Sequence, residues 1–348
     1  MKSVPCRERV ERFWRGEAAD RPAYLMYALF ADTIKDDPMF KLLLEKGLAV
    51  GRWIIPYDDV CPDVKWTTEK TADRDVKVLR IRAITPAGEV WCEYRDGWIR
   101  KYFLETASDY RVMTWMAQHT TVAGRIDREI ARIKTLPEWE VPMLYADKSP
   151  FQDMLVVYAG LENFALHLVD MEDEVMSLYD ALLKRFEKRI SIVAQAPGAY
   201  VEIMENFSAD MAGAERYREF ILPVYERCFG ILHDARKIVA VHCDGKTKPC
   251  KELIAAGPID IVESLTEPPE GDMPIEEARL AWPDKRLWCN IRVGDYDRPP
   301  KELAAHVVEM WRDGASGGRA MAFEMSEYLP ANWRESVPAV LDALGQCR

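Results

Sequence analysis

A histidine and a carboxylate two residues apart close an apolar stretch of the chain, Lys237-Ile-Val-Ala-Val-His242-Cys243-Asp244-Gly245. Side chains of an extended segment repeat direction every two residues, so His242 and Asp244 address one side and Cys243 the other. Similar groups stand just past other short apolar stretches: Asp58 and Asp59, Asp147, Glu205 and Asn206, Glu263, Asn290, Glu324 and Glu327. Carboxylates gathered around one histidine repel one another. Such a ring therefore needs a metal, a cationic ligand, or carboxyl groups whose pKa values are raised. His242, Asp244, Glu263 and Glu324 form a donor set suited to zinc or another divalent ion.

The elements that would bring these groups together recur along the chain. Short apolar strands are expected at Ala23–Tyr27, near Trp53, and at Val141–Tyr145, Tyr200–Met204, Ile238–Val241, Asp260–Glu263, Arg286–Asn290 and Arg319–Phe323. Helical periodicity is expected over Arg7–Trp14, Pro38–Leu48, Glu172–Ala196, Ala214–Asp234, Pro299–Asp313 and Trp333–Leu344, and from Ser108 to about Ile133. About eight strand–helix units make an α/β protein, a (β/α)8 TIM barrel whose chemistry collects at the C-terminal strand ends. No G-x-G-x-x-G follows an early strand, which argues against a dinucleotide fold. Residues 76–104 alternate instead, with turns at Pro86-Ala-Gly88 and Arg95-Asp-Gly97, and read as an antiparallel β-meander inserted into a single barrel spanning 1–348. Trp53, near a strand end, is placed to line a pocket for a flat ligand, but its neighbours Ile54 and Ile55 favour core. Gly314-Ala-Ser-Gly317-Gly318 reads as a turn, because it precedes a strand rather than opening a helix.

Composition narrows the function. The net charge of −11, with no basic stripe, argues against a nucleic-acid partner. No apolar run reaches the ~18 residues of a membrane span, and no apolar segment follows the charged N-terminus. The eight cysteines lack C-x-x-C spacing and read as reduced thiols, so a cytoplasmic enzyme is expected. His119, His167, His233 and His306 fall on helical stretches and read as surface or core residues.

Three segments carry a family resemblance: Val241-His-Cys-Asp-Gly-Lys246, Asp260-Ile-Val-Glu-Ser-Leu-Thr-Glu-Pro-Pro-Glu-Gly-Asp272 and Leu287-Trp-Cys-Asn-Ile291. They resemble the C-terminal half of the uroporphyrinogen decarboxylase superfamily, and Gly16-Glu-Ala-Ala-Asp20-Arg21-Pro22 is similar to that family's N-terminal region. The resemblance implies a (β/α)8 barrel and one of two activities, porphyrinogen decarboxylation or methyl transfer to or from corrinoid proteins. Decarboxylases carry arginines after the first strand, where this chain has Met26-Tyr-Ala-Leu-Phe-Ala31. The methyltransferase branch is therefore the nearer likeness. Its thiol-directed members hold zinc with His-x-Cys and a distant cysteine, and a related methionine synthase adds a glutamate. Here His242, Asp244, Glu263 and Glu324 fall at the corresponding places, with carboxylates in both thiolate positions.

The resemblance then implies a methyltransferase acting on a small O-methylated aromatic or similar donor, with a corrinoid protein as partner and a metal assisting the leaving group. His242, Glu205 and Asp147 would serve as catalytic groups, and Tyr57, Asp58, Asn206 and Asn290 would bind substrate. The alternatives are a uroporphyrinogen decarboxylase and a non-catalytic binding protein for a cationic small molecule. Apolar helix faces are compatible with a homodimer.

Overall fold

The structure is a computed structural model that describes residues 4–315 and 320–347. Its strands are β1 (Tyr24–Tyr27), β2 (Leu48–Ile54), β3 (Tyr57–Val60), β4 (Lys65–Asp73), β5 (Val76–Thr85), β6 (Gly88–Arg95), β7 (Trp98–Lys101), β8 (Thr121–Gly124), β9 (Glu140–Tyr145), β10 (Tyr200–Ile203), β11 (Ile238–His242), β12 (Ile261–Leu265), β13 (Arg286–Asn290) and β14 (Met321–Met325). Eight of them, β1, β2 and β9 to β14, pair in parallel and in chain order, and β14 returns to β1 to close a barrel. This is the (β/α)8 barrel that the repeated strand–helix units predict. The chain divides into two compact units: Met1–Pro56, Ile126–Asp147 and Val193–Arg348 carry the barrel, and Tyr57–Arg125 with Lys148–Ile192 form the second.

In the barrel, alternation sorts each strand into an apolar lower position and a polar upper one. Tyr200, Ala240, Ile261, Trp288 and Ala322 belong to one buried core cluster. Two residues further along each of these strands stand Glu202, His242, Glu263, Asn290 and Glu324. Helix Cys6–Arg15 contributes to the lower layer. Its Val10, Phe13 and Trp14 are buried, Trp14 stacks on Tyr200 at 4.3 Å, and Phe13 meets Trp288 edge-on at 5.4 Å. Gly16 ends this helix in a left-handed cap (φ 70°), where a side chain would be strained.

The second unit contains the β3–β8 antiparallel pair and a four-stranded antiparallel sheet in the order β4-β5-β6-β7. The sheet starts earlier than the alternation from Val76 suggests. Strand β4 (Lys-Trp-Thr-Thr-Glu-Lys-Thr-Ala-Asp) is exposed along its whole length and so shows no apolar period, yet it pairs with β5 over nine residues. The stretch after Ser108 is likewise not one helix: Ala107–His119 ends before β8, and a second helix runs from Ile126 to Ile133. The expected helix Ala214–Asp234 starts where Gly213 (φ 75°, ψ 157°) breaks it from a short helical segment beginning at Ala209, and it contains a π-helical turn over Tyr217–Ile221. Among the described residues no helix is long and apolar enough to cross a membrane. Most of the glycine-rich run, with Arg319 of the expected last strand, lies outside the described residues.

Candidate functional site

Register places the chemistry. His242 on β11 stands directly opposite Glu263 on β12, and its Nδ1 lies 2.6 Å from Glu263 Oε2. Glu202, on the neighbouring β10, completes a buried group with them: one ligand atom from each of the three lies within 4.8 Å of the others. Tyr27 from β1 donates its hydroxyl to Glu263 Oε1 at 2.5 Å and also lies 3.3 Å from Glu202 Oε1. Trp53 from β2 donates its indole N–H to Glu202 Oε2 at 3.1 Å. Glu202, Glu263 and Glu324 are fully buried and His242 nearly so.

The electrostatics follow from burial and from the charges of His242 and Glu263. Burial opposes the His242 imidazolium, but the charge of Glu263 and hydrogen bonds to Asp244 and Glu263 outweigh it and hold the ring's pKa well above the usual value. Burial likewise opposes the Glu263 carboxylate, and His242 more than compensates, so its pKa is lowered. Glu202 goes the other way, pushed up to about 8 by burial and then by the charge of Glu263. Burial, with Glu263 next, raises Glu324 well above the carboxylate range. In its protonated form Glu324 can donate to Glu263, while the Ser264 hydroxyl beside it opposes the shift only weakly. At neutral pH the cluster is therefore an imidazolium–carboxylate pair flanked by two carboxyl groups that retain protons.

These residues fit a divalent cation. The triad offers one nitrogen and two carboxylates, buried and converging from three adjacent strands, and their protons are ones a cation can displace. Asp244 sits behind the ring, with its Oδ2 3.5 Å from His242 Nε2 and accepting from Asn206 Nδ2 at 3.0 Å. A carboxylate there orients a ligating imidazole through its second nitrogen. Among the described residues one group of metal-competent geometry is found, Glu202, His242 and Glu263, without Asp244 or Glu324. No thiol belongs to it. Cys243 is buried, and burial raises its thiol well above the normal value.

A pocket of about 440 Å3 opens beside the triad, lined by Tyr27, Trp53, Tyr145, Met204, His242 and Asp244 among others. Trp53, which its neighbours suggest is core, is a wall of this pocket: its ring lies 5.0 Å from Tyr27 and 5.7 Å from Tyr145. Asn206, Ser326 and Glu327 line it too. Three of the strand ends here leave ordinary backbone geometry, since Asp147 (φ 36°), Asn206 (φ 48°) and Ser264 (φ 57°) all have positive φ. At Ser264 the β12–β13 register also shifts.

The remaining expected site residues are dispersed. Asp147 accepts from the Tyr145 hydroxyl at 3.2 Å just past β9. Glu205 is fully buried and accepts from the Tyr225 hydroxyl at 2.9 Å. Asn290 donates to Thr266 Oγ1 at 3.5 Å and accepts from the Ser326 backbone at 3.4 Å. None of these three lines the pocket. Tyr57 and Asp58 belong to the second unit, on β3, where Asp58 pairs with Arg125 at 2.5 Å and the Arg189 guanidinium lies over the Tyr57 ring. The residues that strand-end reasoning misses are Glu202 and Tyr27. Glu202 lies inside β10, where a carboxylate at the third place of Tyr200-Val-Glu-Ile was the available signal; Tyr27 is the last residue of β1, but a tyrosine among apolar neighbours gives no charge to mark it.

No protein-family model matches the chain, and a comparison with curated proteins finds no match.

Proposed function

We propose that the chain is a methyltransferase that moves a methyl group from a small methylated donor, an ether or an amine, to a corrinoid carried by a partner protein. The observation that carries this reading is the Glu202–His242–Glu263 triad at the wall of an aromatic pocket. The resemblance of the segments around His242, Glu263 and Asn290 to the corrinoid-linked branch of the uroporphyrinogen decarboxylase superfamily supports it. A divalent ion, zinc by that resemblance, would be held by the triad and would supply a Lewis acid for the leaving heteroatom of the donor.

The chain's own residues have definable tasks. Asp244 fixes the tautomer and the plane of His242. Tyr27 and Trp53 each donate to one carboxylate of the triad, which sets the direction of the remaining lone pairs. Trp53, Tyr145 and Met204 give the donor an apolar wall that excludes water from the methyl carbon.

Purified protein is expected to contain close to one equivalent of divalent metal. With a methylated donor, it should also methylate a reduced corrinoid protein, followed by the change in the corrinoid's absorption. His242→Ala should lose the metal and at least ~100-fold of the transfer rate, the scale typical of losing a ligand or its support. A wild-type chain that neither retains nor takes up metal, or an H242A variant with undiminished transfer, would refute the proposal. Formation of coproporphyrinogen from uroporphyrinogen would instead identify a decarboxylase.

A further inference from the structure

The pocket beside the triad combines three aromatic rings and two carboxylates with His242, whose charge Glu263 balances, and among the described residues no lysine or arginine lines it. The polar atoms of the rings are engaged elsewhere: Tyr27 donates to Glu263, Trp53 to Glu202 and Tyr145 to Asp147. The rings therefore offer π-surface to an occupant rather than donors, and both ring pairs are tilted by 57° as adjoining walls. Asp244 and Glu327 line the same space.

Glu327 has neighbouring charges but no hydrogen-bond or ion-pair partner among the described residues. It stands at the exposed rim of the pocket, where partial desolvation and repulsion from Asp244 disfavour its ionised form and His242 favours it. A cation entering the pocket relieves that repulsion and meets electron-rich ring faces, which attract a cation within about 6 Å of their centroids. The balance holds with a metal bound: Glu202 and Glu263 offset a divalent ion, and Asp244 and Glu327 still face the pocket. A neutral aryl ether would leave Asp244 with His242 and Asn206 as partners and Glu327 with no cation of its own.

We propose that this pocket binds a methylated ammonium group of a small molecule, seated on Tyr27, Trp53 and Tyr145 and balanced by Asp244 and Glu327. Binding stands on the pocket alone; that the bound group is the methyl donor rests on the methyl-transfer reading. For such a donor the C–N bond breaks with its electron pair returning to nitrogen, and the methyl carbon bonds to the nucleophilic cobalt of the acceptor. A quaternary ammonium then leaves as a neutral tertiary amine and needs no proton. The pocket volume, about 440 Å3, lies within the range of small-molecule sites.

The test compares choline with 3,3-dimethyl-1-butanol, its neutral isostere, by titration calorimetry on the full-length chain. Choline should bind at least tenfold more tightly than the isostere. Glu327→Gln should weaken choline about fivefold or more without altering the isostere or the unfolding midpoint, and Trp53→Leu should weaken choline by more than it weakens the isostere. Equal affinities, or no binding of choline to the folded wild-type chain, would overturn the assignment. Methyl transfer from anisole with no binding of choline removes the ammonium site and leaves the methyltransferase standing. Choline binding without transfer from any donor does the reverse.

Discussion

Glu202 holds its proton because burial and the charge of Glu263 outweigh the neighbouring His242 and the Trp53 and Tyr27 donors, and that has a measurable sign. Its carboxyl is raised to about 8, first by burial and then by Glu263, whereas the unfolded chain releases the same proton near the ordinary value of about 4.3. Between these two values the folded state binds more protons than the unfolded one. The contribution is therefore complete below the unfolded value and is lost as pH rises through about 8. For the chelator-treated protein, urea midpoints should fall from pH 5 to pH 8, and Glu202→Gln should flatten that slope. A wild-type midpoint that rises over this interval would contradict the protonated carboxyl. The same residue marks the limit of strand-end reasoning. His242 is legible because it closes an apolar strand whose chain then turns; Glu263, expected at a strand end, stands at the third place of β12, and the strand continues to Leu265. Glu202 sits inside a four-residue strand, two places after Tyr200, and its inward direction is known only once Tyr200 is seen in the barrel core.

The loops after β10 and β11 interlock, and Gly245 is where they touch. A Cβ on Gly245 would lie 2.5 Å from Ser208 Cβ and 2.9 Å from the Phe207 carbonyl, while the Gly245 N–H donates to that carbonyl at 3.1 Å. The requirement is close approach of two chains, not a positive φ. Gly245→Ala should therefore push the β11 loop away and carry Asp244 off His242 Nε2. The cost should be about 1–3 kcal/mol, as for other overpacked sites, together with weaker metal binding than a mere stability loss explains. Denaturant unfolding and metal titration of the same variant separate the two, and a variant with native metal affinity would show that the loop yields without moving Asp244. At this scale most barrel elements are readable in the sequence, since β13 and helix Trp333–Leu344 fall where period and apolarity put them. Strand β4 is not, because an exposed strand of Lys, Thr and Glu has no buried face to impose alternation. The pocket wall at Trp53 is hidden for the opposite reason: among Ile54 and Ile55 it looks like core, and only the barrel's pleat turns its ring toward Tyr27 and Tyr145.

Across the molecule, acidic residues outnumber basic ones, 58 against 47, and part of that excess is buried where the barrel strands converge. The resulting cluster makes the barrel's stability depend on what occupies it. Glu202, His242 and Glu263 come from β10, β11 and β12, three consecutive strands of the closed sheet. An ion bound to all three is held only while those strands remain paired, so it binds the folded chain in preference to the unfolded one. A free metal concentration a hundred times the dissociation constant should then add about 2.7 kcal/mol, which is roughly 5–10 °C in the unfolding midpoint at 2–4 °C per kcal/mol. The donor set orders the ions: one imidazole and two carboxylates favour zinc, cobalt or manganese over magnesium and calcium, which prefer oxygen alone. Thermal unfolding of chelator-treated protein with each ion in turn should reproduce that order, and His242→Ala should abolish the shift while leaving a folded barrel. If no divalent ion moves the wild-type midpoint, the triad is a proton-holding cluster and the metal-assisted transfer is refuted.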